Sequence, residues 1–344
     1  MKVFFVVIDA LPNSLVSNEW TPNLWNLASE GSWNKEGGQA VLSTATYPNH
    51  ASFVSGDLPQ SHKIFTNRVW TGHEFKISSD VGPEGDTLFK ALARNSFESS
   101  VVVGDHHLIG VIGADRASNH WPLDGKRAEV ELDEFRYASD LAVLDAIDNS
   151  QLISADFGFV HFNEPDTASH IHGPNSEELK SRVKRTDKVL GQFLERIKPV
   201  WKDSIVIVVS DHDQEEVVEY GFDLQDALSS RGLPGIVENE GTAAMILDGP
   251  SKADMHSIPE ISGCAELDPR RLLVWGDTGF VFGPWLEELN GSHGSPRCNT
   301  QVAIVGGGHV EAKRIGSLIE KKRPHAWEWA RHINDSFGLN LQVN

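Results

Sequence analysis

Four short segments of this chain carry side chains that could bind metal. Asp9 closes the apolar run Lys2-Val3-Phe4-Phe5-Val6-Val7-Ile8. Asp166 and His170 follow the run Phe157 to Phe162, and Asp211 and His212 follow Ile205-Val206-Ile207-Val208-Val209. His293 stands in Gly291-Ser292-His293-Gly294-Ser295, ahead of the apolar stretch Val302 to Val305. Three carboxylates and three imidazoles suffice for two divalent ions. Mixed oxygen and nitrogen ligation suits zinc first, with manganese or iron as alternatives. Taken singly, a strand-end Asp is more often a helix cap and a loop His is more often solvated. The conjunction carries the reading.

A nucleophile is available at Thr46, within Ser43-Thr44-Ala45-Thr46-Tyr47-Pro48-Asn49-His50-Ala51-Ser52. The local pattern predicts a helix start, with Thr46 as its cap and Pro48 in its first turn. A helix N-terminus binds phosphate oxygens, and metal coordination is one way to activate a hydroxyl. Cap and nucleophile are compatible roles.

Positioning these groups takes an α/β architecture. Apolar strands alternate with amphipathic helices, the pattern of a mostly parallel sheet sandwiched by helices. In such folds ligands collect at the carboxyl ends of the strands. Strands are expected near Lys2 to Ile8, Ser100 to Val103, Phe157 to Phe162 and Ile205 to Val209. Thr21 should cap a helix carrying Leu24 and Leu27, and Asp86 one carrying Leu88 and Leu92. Ser176 to Ile197 reads as a long helix, and a last one starts near Pro324 and buries Trp327, Ala330, Ile333 and Phe337. The segment between the Phe157 strand and Ser176 reads as a polar loop. Residues 1–237 and 291–344 form the expected core, and 238–290, which looks irregular, is the candidate inserted subdomain or cap.

With 344 residues the chain can bury a substantial core. Its net charge of -19 argues against nucleic-acid polymers and anionic membranes, whose phosphates must be neutralised by Lys and Arg. An anionic substrate would then need a local positive centre, such as bound metal. The opening apolar run is shorter than the roughly 20 residues that span a bilayer. Two cysteines imply no disulfide framework. The expectation is a cytoplasmic protein with no membrane partner.

Read together, the segments resemble the type I phosphodiesterase/nucleotide pyrophosphatase family of the alkaline phosphatase superfamily. The resemblance rests on Val7-Ile8-Asp9, Thr46-Tyr47-Pro48-Asn49-His50, Ser55-Gly56 with His62, Glu164-Pro165-Asp166 with His170 and Gly173-Pro174, Ser210-Asp211-His212 and His293-Gly294. It implies an alkaline-phosphatase-like fold. It also implies that Asp166, His170 and His293 hold one metal while Asp9, Asp211 and His212 hold the other, with Thr46 bound to that second ion as the attacking alkoxide. The family places an asparagine 21 positions after the nucleophile to donate to a phosphoryl oxygen, and that position is Asn67. Three positions depart from the family pattern: Ser169, Asp213 and Ser295. Asp tolerates left-handed backbone, which would preserve a turn at Asp213. His172 and His309 compete for ligand roles, and His50 reads as a packing residue or as one that supports the ligands from behind.

The implied reaction forms a phospho-threonine that water then hydrolyses. Two divalent ions offset three carboxylates and one alkoxide, so the core is near neutral. A dianionic monoester would want an added Lys or Arg, and the nucleophile segment offers only Lys63 and Arg68. Phosphodiesters and pyrophosphate-linked nucleotides therefore fit best, with Trp70 or Trp121 as candidates for a base-stacking wall. The rivals are a phosphomonoesterase, a phosphonate C–P hydrolase and a phosphate-binding protein without turnover. A sulfatase lacks support, because no Cys-x-Pro-x-Arg pattern is present.

Overall fold

The computed structural model describes residues 1–283 and 289–343. Strand β1, Lys2–Ile8, is apolar on both sides: Val3, Phe5 and Val7 enter one apolar layer and Phe4, Val6 and Ile8 the other. A strand of that kind must be covered on both faces, which places it mid-sheet. The remaining strands of its sheet are β2 (Ser32–Trp33), β3 (Ser99–Val103), β4 (Asn119–Trp121), β5 (Phe157–Phe162), β6 (Ser204–Val209) and β7 (Ala303–Gly306). Their order is β2-β7-β6-β1-β5-β3-β4. β6, β1, β5, β3 and β4 run parallel, whereas β7 is antiparallel to β6 and to β2.

Helices Thr46–Ser55, Leu88–Arg94, Val310–Lys321 and Glu328–Phe337 cover one face. Pro22–Glu30, Asp140–Ile147 and Glu177–Ile197 cover the other. This is the expected sandwich. Register places the chemistry: Val7 lies level with His161 of β5 and Val209 of β6. Asp9, Asn163 and Asp211 therefore leave the sheet side by side.

Several local expectations change. Residues 164–172 form a helix, not a polar loop. Pro165 in its first turn and the acidic Glu164 and Asp166 favour a helix start there. The segment lacks an apolar stripe, so periodicity did not mark it. Thr21 holds the cap position expected of it but its side chain does not cap, and Asp86 is not the cap of the Leu88 helix. Asp187 accepts the Asn23 and Leu24 N–H groups at 3.0 and 2.9 Å, while the Thr21 hydroxyl serves Leu15 and Ser17. Thr87 caps the Leu88 helix, and Asp86 pairs with Arg94. The last helix starts at Glu328 and fully buries Trp329 rather than Trp327.

A second sheet is built from Ile236–Glu240, Ala243–Leu247, Gly263–Asp268 and Arg271–Trp275, antiparallel throughout. Helix Leu224–Ser230 packs on it through Leu224 and Leu228. Its polar-spiked strands gave the irregular appearance in sequence. Residues 284–288 of the expected 238–290 subdomain lie outside the described residues. Among the described residues no helix is long and apolar enough to cross a membrane.

Candidate active site

The ends of β1 and β5 open on one cleft of about 580 Å³, and His212, just after β6, is buried against its lining residues Asp9 and Thr46. Asp9, Asp211 and His212 are 3%, 0% and 0% exposed, and their ligand-capable atoms lie within 4.8 Å of one another. Asp166, His212 and His293 form a second group of the same size. His170 Nε2 lies 3.4 Å from Asp166 Oδ1, an i, i+4 pair created by the helix at 164–172. His212 thus stands between the two groups, its ring stacked on His293 with centroids 3.9 Å apart.

The imidazoles share one arrangement. His170 Nδ1 meets the Gly291 carbonyl at 2.8 Å, His293 Nδ1 the Thr44 carbonyl at 3.0 Å, and His212 Nδ1 the Asp213 carbonyl at 3.1 Å. A carbonyl can only accept, so each Nδ1 carries a proton, which leaves Nε2 as the ring atom that can ligate a metal. Burial, reinforced by His212 and His170, holds His293 well below the usual imidazole range and therefore neutral.

The carboxylates make the complementary case. Asp9 Oδ1 and Asp211 Oδ2 are buried without a hydrogen-bond partner among the described residues. Burial first, and then Asp211, push the Asp9 carboxyl well above its ordinary range. Two adjacent buried carboxyls with orphaned oxygens are costly unless a cation joins them. The donor set fits two divalent ions.

Thr46 is the first residue of helix Thr46–Ser55, and Ala45 occupies the cap position, a correction to the expected cap. The Thr46 hydroxyl therefore caps nothing and sits 3.2 Å from His212 Nε2. Asn67 Oδ1 accepts the Tyr47 N–H at 3.0 Å, which turns the Asn67 amide NH2 toward the cleft that it lines. His50 is fully buried, with Nδ1 on the Thr46 carbonyl at 2.8 Å and 3.6 Å from Asp211 Oδ2, as expected of a packing residue.

The sequence model of the family described as "Type I phosphodiesterase / nucleotide pyrophosphatase" matches residues 3–267. The chain belongs to the type I phosphodiesterase/nucleotide pyrophosphatase family. Bis(5'-adenosyl)-triphosphatase ENPP4 of Homo sapiens is 26% identical over 229 residues, covering 61% of this chain and 47% of that protein. Ectonucleotide pyrophosphatase/phosphodiesterase family member 1 of Rattus norvegicus is 24% identical over 189 residues, covering 51% and 20%. This chain spans about half or less of the length of these curated relatives. A solved structure of murine ectonucleotide pyrophosphatase/phosphodiesterase 5, an inactive threonine-to-alanine variant in complex with AMP, superposes with TM-score 0.72 at 16% identity. It covers 99% of this chain and 96% of that one.

Among the family positions of this chain, the competing histidines separate cleanly. His309 N donates to the Ser204 carbonyl, at the opposite end of β6 from Asp211, and its ring caps the Val310 helix. His172 is exposed and outside the cleft lining. Asp213 builds its turn without a positive φ, so no left-handed tolerance is called on, and it does not line the cleft. Trp70 packs on Phe75 and Trp121 on the sheet-edge core, so neither lines the cleft.

The aromatic lining is Tyr47, Phe135 and Tyr137, which the sequence reading missed. Phe135 and Tyr137 lie in the acidic stretch Glu129 to Tyr137, where they are flanked by charged residues. Asp105 was missed as well. It lines the cleft, accepts the Tyr47 hydroxyl at 2.9 Å, and is raised to about 6, chiefly by burial. A signal existed: Val103-Gly104-Asp105-His106-His107 repeats the strand-then-Asp-His pattern of β6. His161 Nε2, inside β5, meets Asp9 Oδ2 at 2.9 Å, and Gln301 donates to the Asp211 carbonyl at 2.6 Å. Their positions within strands gave no cue.

Proposed function

We propose that this protein is a two-metal hydrolase of phosphate esters, acting through Thr46 on phosphodiesters or pyrophosphate-linked nucleotides. The observation that carries the reading is the uncapped Thr46 hydroxyl, at a helix N-terminus, 3.2 Å from His212 in a cleft of buried Asp and His side chains. Asp9, Asp211 and His212 would hold one ion, and Asp166, His170 and His293 the other, with zinc the first choice for this donor set. When bound, such a pair supplies Lewis acidity to the phosphoryl oxygens and lowers the pKa of a coordinated hydroxyl or water.

The chain's own groups supply the rest. Thr46 Oγ1 attacks phosphorus in line, the bond to the leaving alcohol or phosphate breaks, and a phospho-threonine forms. Water then cleaves the phosphorus–Oγ1 bond, releasing product and restoring the hydroxyl. The Asn67 NH2, oriented by its bond to Tyr47 N, donates to a non-bridging oxygen. The helix start favours the same charge.

Substrate charge is read from the cleft lining, which among the described residues includes no Lys or Arg. Lys63 bonds its own turn at Gln60, and Arg68 reaches Phe75 and Glu238. A dianionic monoester finds no clamp there, which supports the diester reading over a phosphomonoesterase. Tyr47, Phe135 and Tyr137 offer an apolar wall for a base, and the AMP complex of the murine relative supports a nucleotide. The two cysteines are unpaired, which suits a reducing, cytoplasmic setting.

Release of p-nitrophenol from bis-p-nitrophenyl phosphate by zinc-loaded protein tests the proposal, with the monoester alongside. The expected result is faster diester cleavage, lost in Thr46→Ala. Faster monoester cleavage would move the assignment to a phosphatase, and turnover of neither would leave a binding protein.

A further inference from the structure

Two buried acids in the cleft, Asp105 and Glu240, lie outside the metal-ligand set. Glu240 ends strand Ile236–Glu240 of the second sheet, is 7% exposed, and lines the cleft beside Asn67. Its Oε2 accepts the Asn67 N–H at 2.6 Å, and its other oxygen has no partner among the described residues. The turn that follows is fixed. Gly241 has φ +63°, and a Cβ there would come within 2.3 Å of the His293 carbonyl oxygen, which accepts the Thr242 N–H at 2.7 Å. The second sheet therefore grips both sides of the cleft, Asn67 through a side chain and His293 through the main chain.

We propose that Glu240 sets the charge preference of the phosphoryl site: it anchors Asn67 and presents a carboxyl oxygen that disfavours a dianionic phosphate relative to a monoanionic diester. The inference rests on the reading above, which places the phosphoryl group beside Asn67. Repulsion grows with each added unit of substrate charge and is strong where water is excluded. The groups facing Glu240 do not cancel it. Arg68, from the neighbouring hairpin, lies 3.6 Å from Glu238 with its side chain half exposed, Glu238 adds charge of the same sign, and His293 presents only its carbonyl. Burial raises Glu240 to about 8, opposed by the Asn67 N–H, reinforced by Glu238 and opposed again by Arg68. The discrimination is therefore weak while the carboxyl keeps its proton and strengthens as pH rises through that value.

Calorimetric titration of metal-loaded protein with inorganic phosphate and with dimethyl phosphate tests this at pH 9, without reliance on turnover. Glu240→Gln keeps an acceptor for Asn67 and removes the charge. It should tighten phosphate about tenfold and leave dimethyl phosphate within about twofold. Glu240→Ala, which removes the anchor too, should weaken dimethyl phosphate. In the wild-type protein the phosphate-to-dimethyl-phosphate affinity ratio should fall between about pH 7.5 and 9.5, a readout needing no variant. An unchanged ratio in Glu240→Gln, or a flat wild-type ratio, overturns the inference. Loss of Thr46-dependent turnover with a shifted ratio overturns the hydrolase reading instead.

Discussion

The two sides of the cleft rest on different kinds of backbone. The side of the proposed metal ligands is carried by β1, β5 and β6, central parallel strands that are buried throughout apart from the half-buried Lys2. The substrate side is carried by the irregular stretch with Phe135 and Tyr137 and by the end of the small antiparallel sheet. Groups that must share an ion need sub-ångström placement, which packed strands supply. Groups that contact the variable part of a substrate tolerate looser support. The division separates chemistry from recognition.

Substitutions on the two sides should therefore differ in kind. Asp211→Asn removes a proposed ligand whose partners are all buried, and turnover of bis-p-nitrophenyl phosphate should fall by about 10³-fold or more together with bound zinc. Elemental analysis showing full metal occupancy in that variant would break the comparison. Asn67→Ala should cost about 10² to 10³ in kcat with zinc content unchanged, because one oriented donor is lost. A parallel loss of metal would move Asn67 to the ligand side.

On the substrate side, Tyr137→Ala should raise KM about tenfold for a nucleotide p-nitrophenyl ester and leave the simple diester nearly unaffected. Equal effects on both substrates would show that the aromatic wall does not read the base. The smallest effect on activity belongs to Asp187, which caps the Pro22 helix far from the cleft. Asp187→Ala should lower unfolding free energy by about 1 to 2 kcal/mol in a denaturant titration and leave kcat within a factor of about two. A large kcat loss would mean that the two faces of the sheet are mechanically coupled to the site.

What was legible in sequence follows the same division. Asp9, Asp211 and His212 stand directly after continuous apolar runs, so their placement at strand ends could be read from composition alone. Thr46 was found by its segment, though its role as first helical residue rather than cap needed the backbone. Glu164 to His172 hid its helix because a short helix lining a polar site has no apolar stripe. Phe135, Tyr137 and Glu240 were illegible for another reason: their neighbours are charged, and only tertiary folding turns them inward. Asp105 was legible and overlooked, since it repeats the strand-then-Asp-His pattern.

The most direct test of the central claim is acid-quenched mass spectrometry of zinc-loaded protein during turnover of bis-p-nitrophenyl phosphate. The account predicts a phosphoryl adduct on the peptide containing Thr46, and no adduct and no turnover in Thr46→Ala. Undiminished turnover in Thr46→Ala, with no adduct at Thr46 in the wild-type protein, would contradict it.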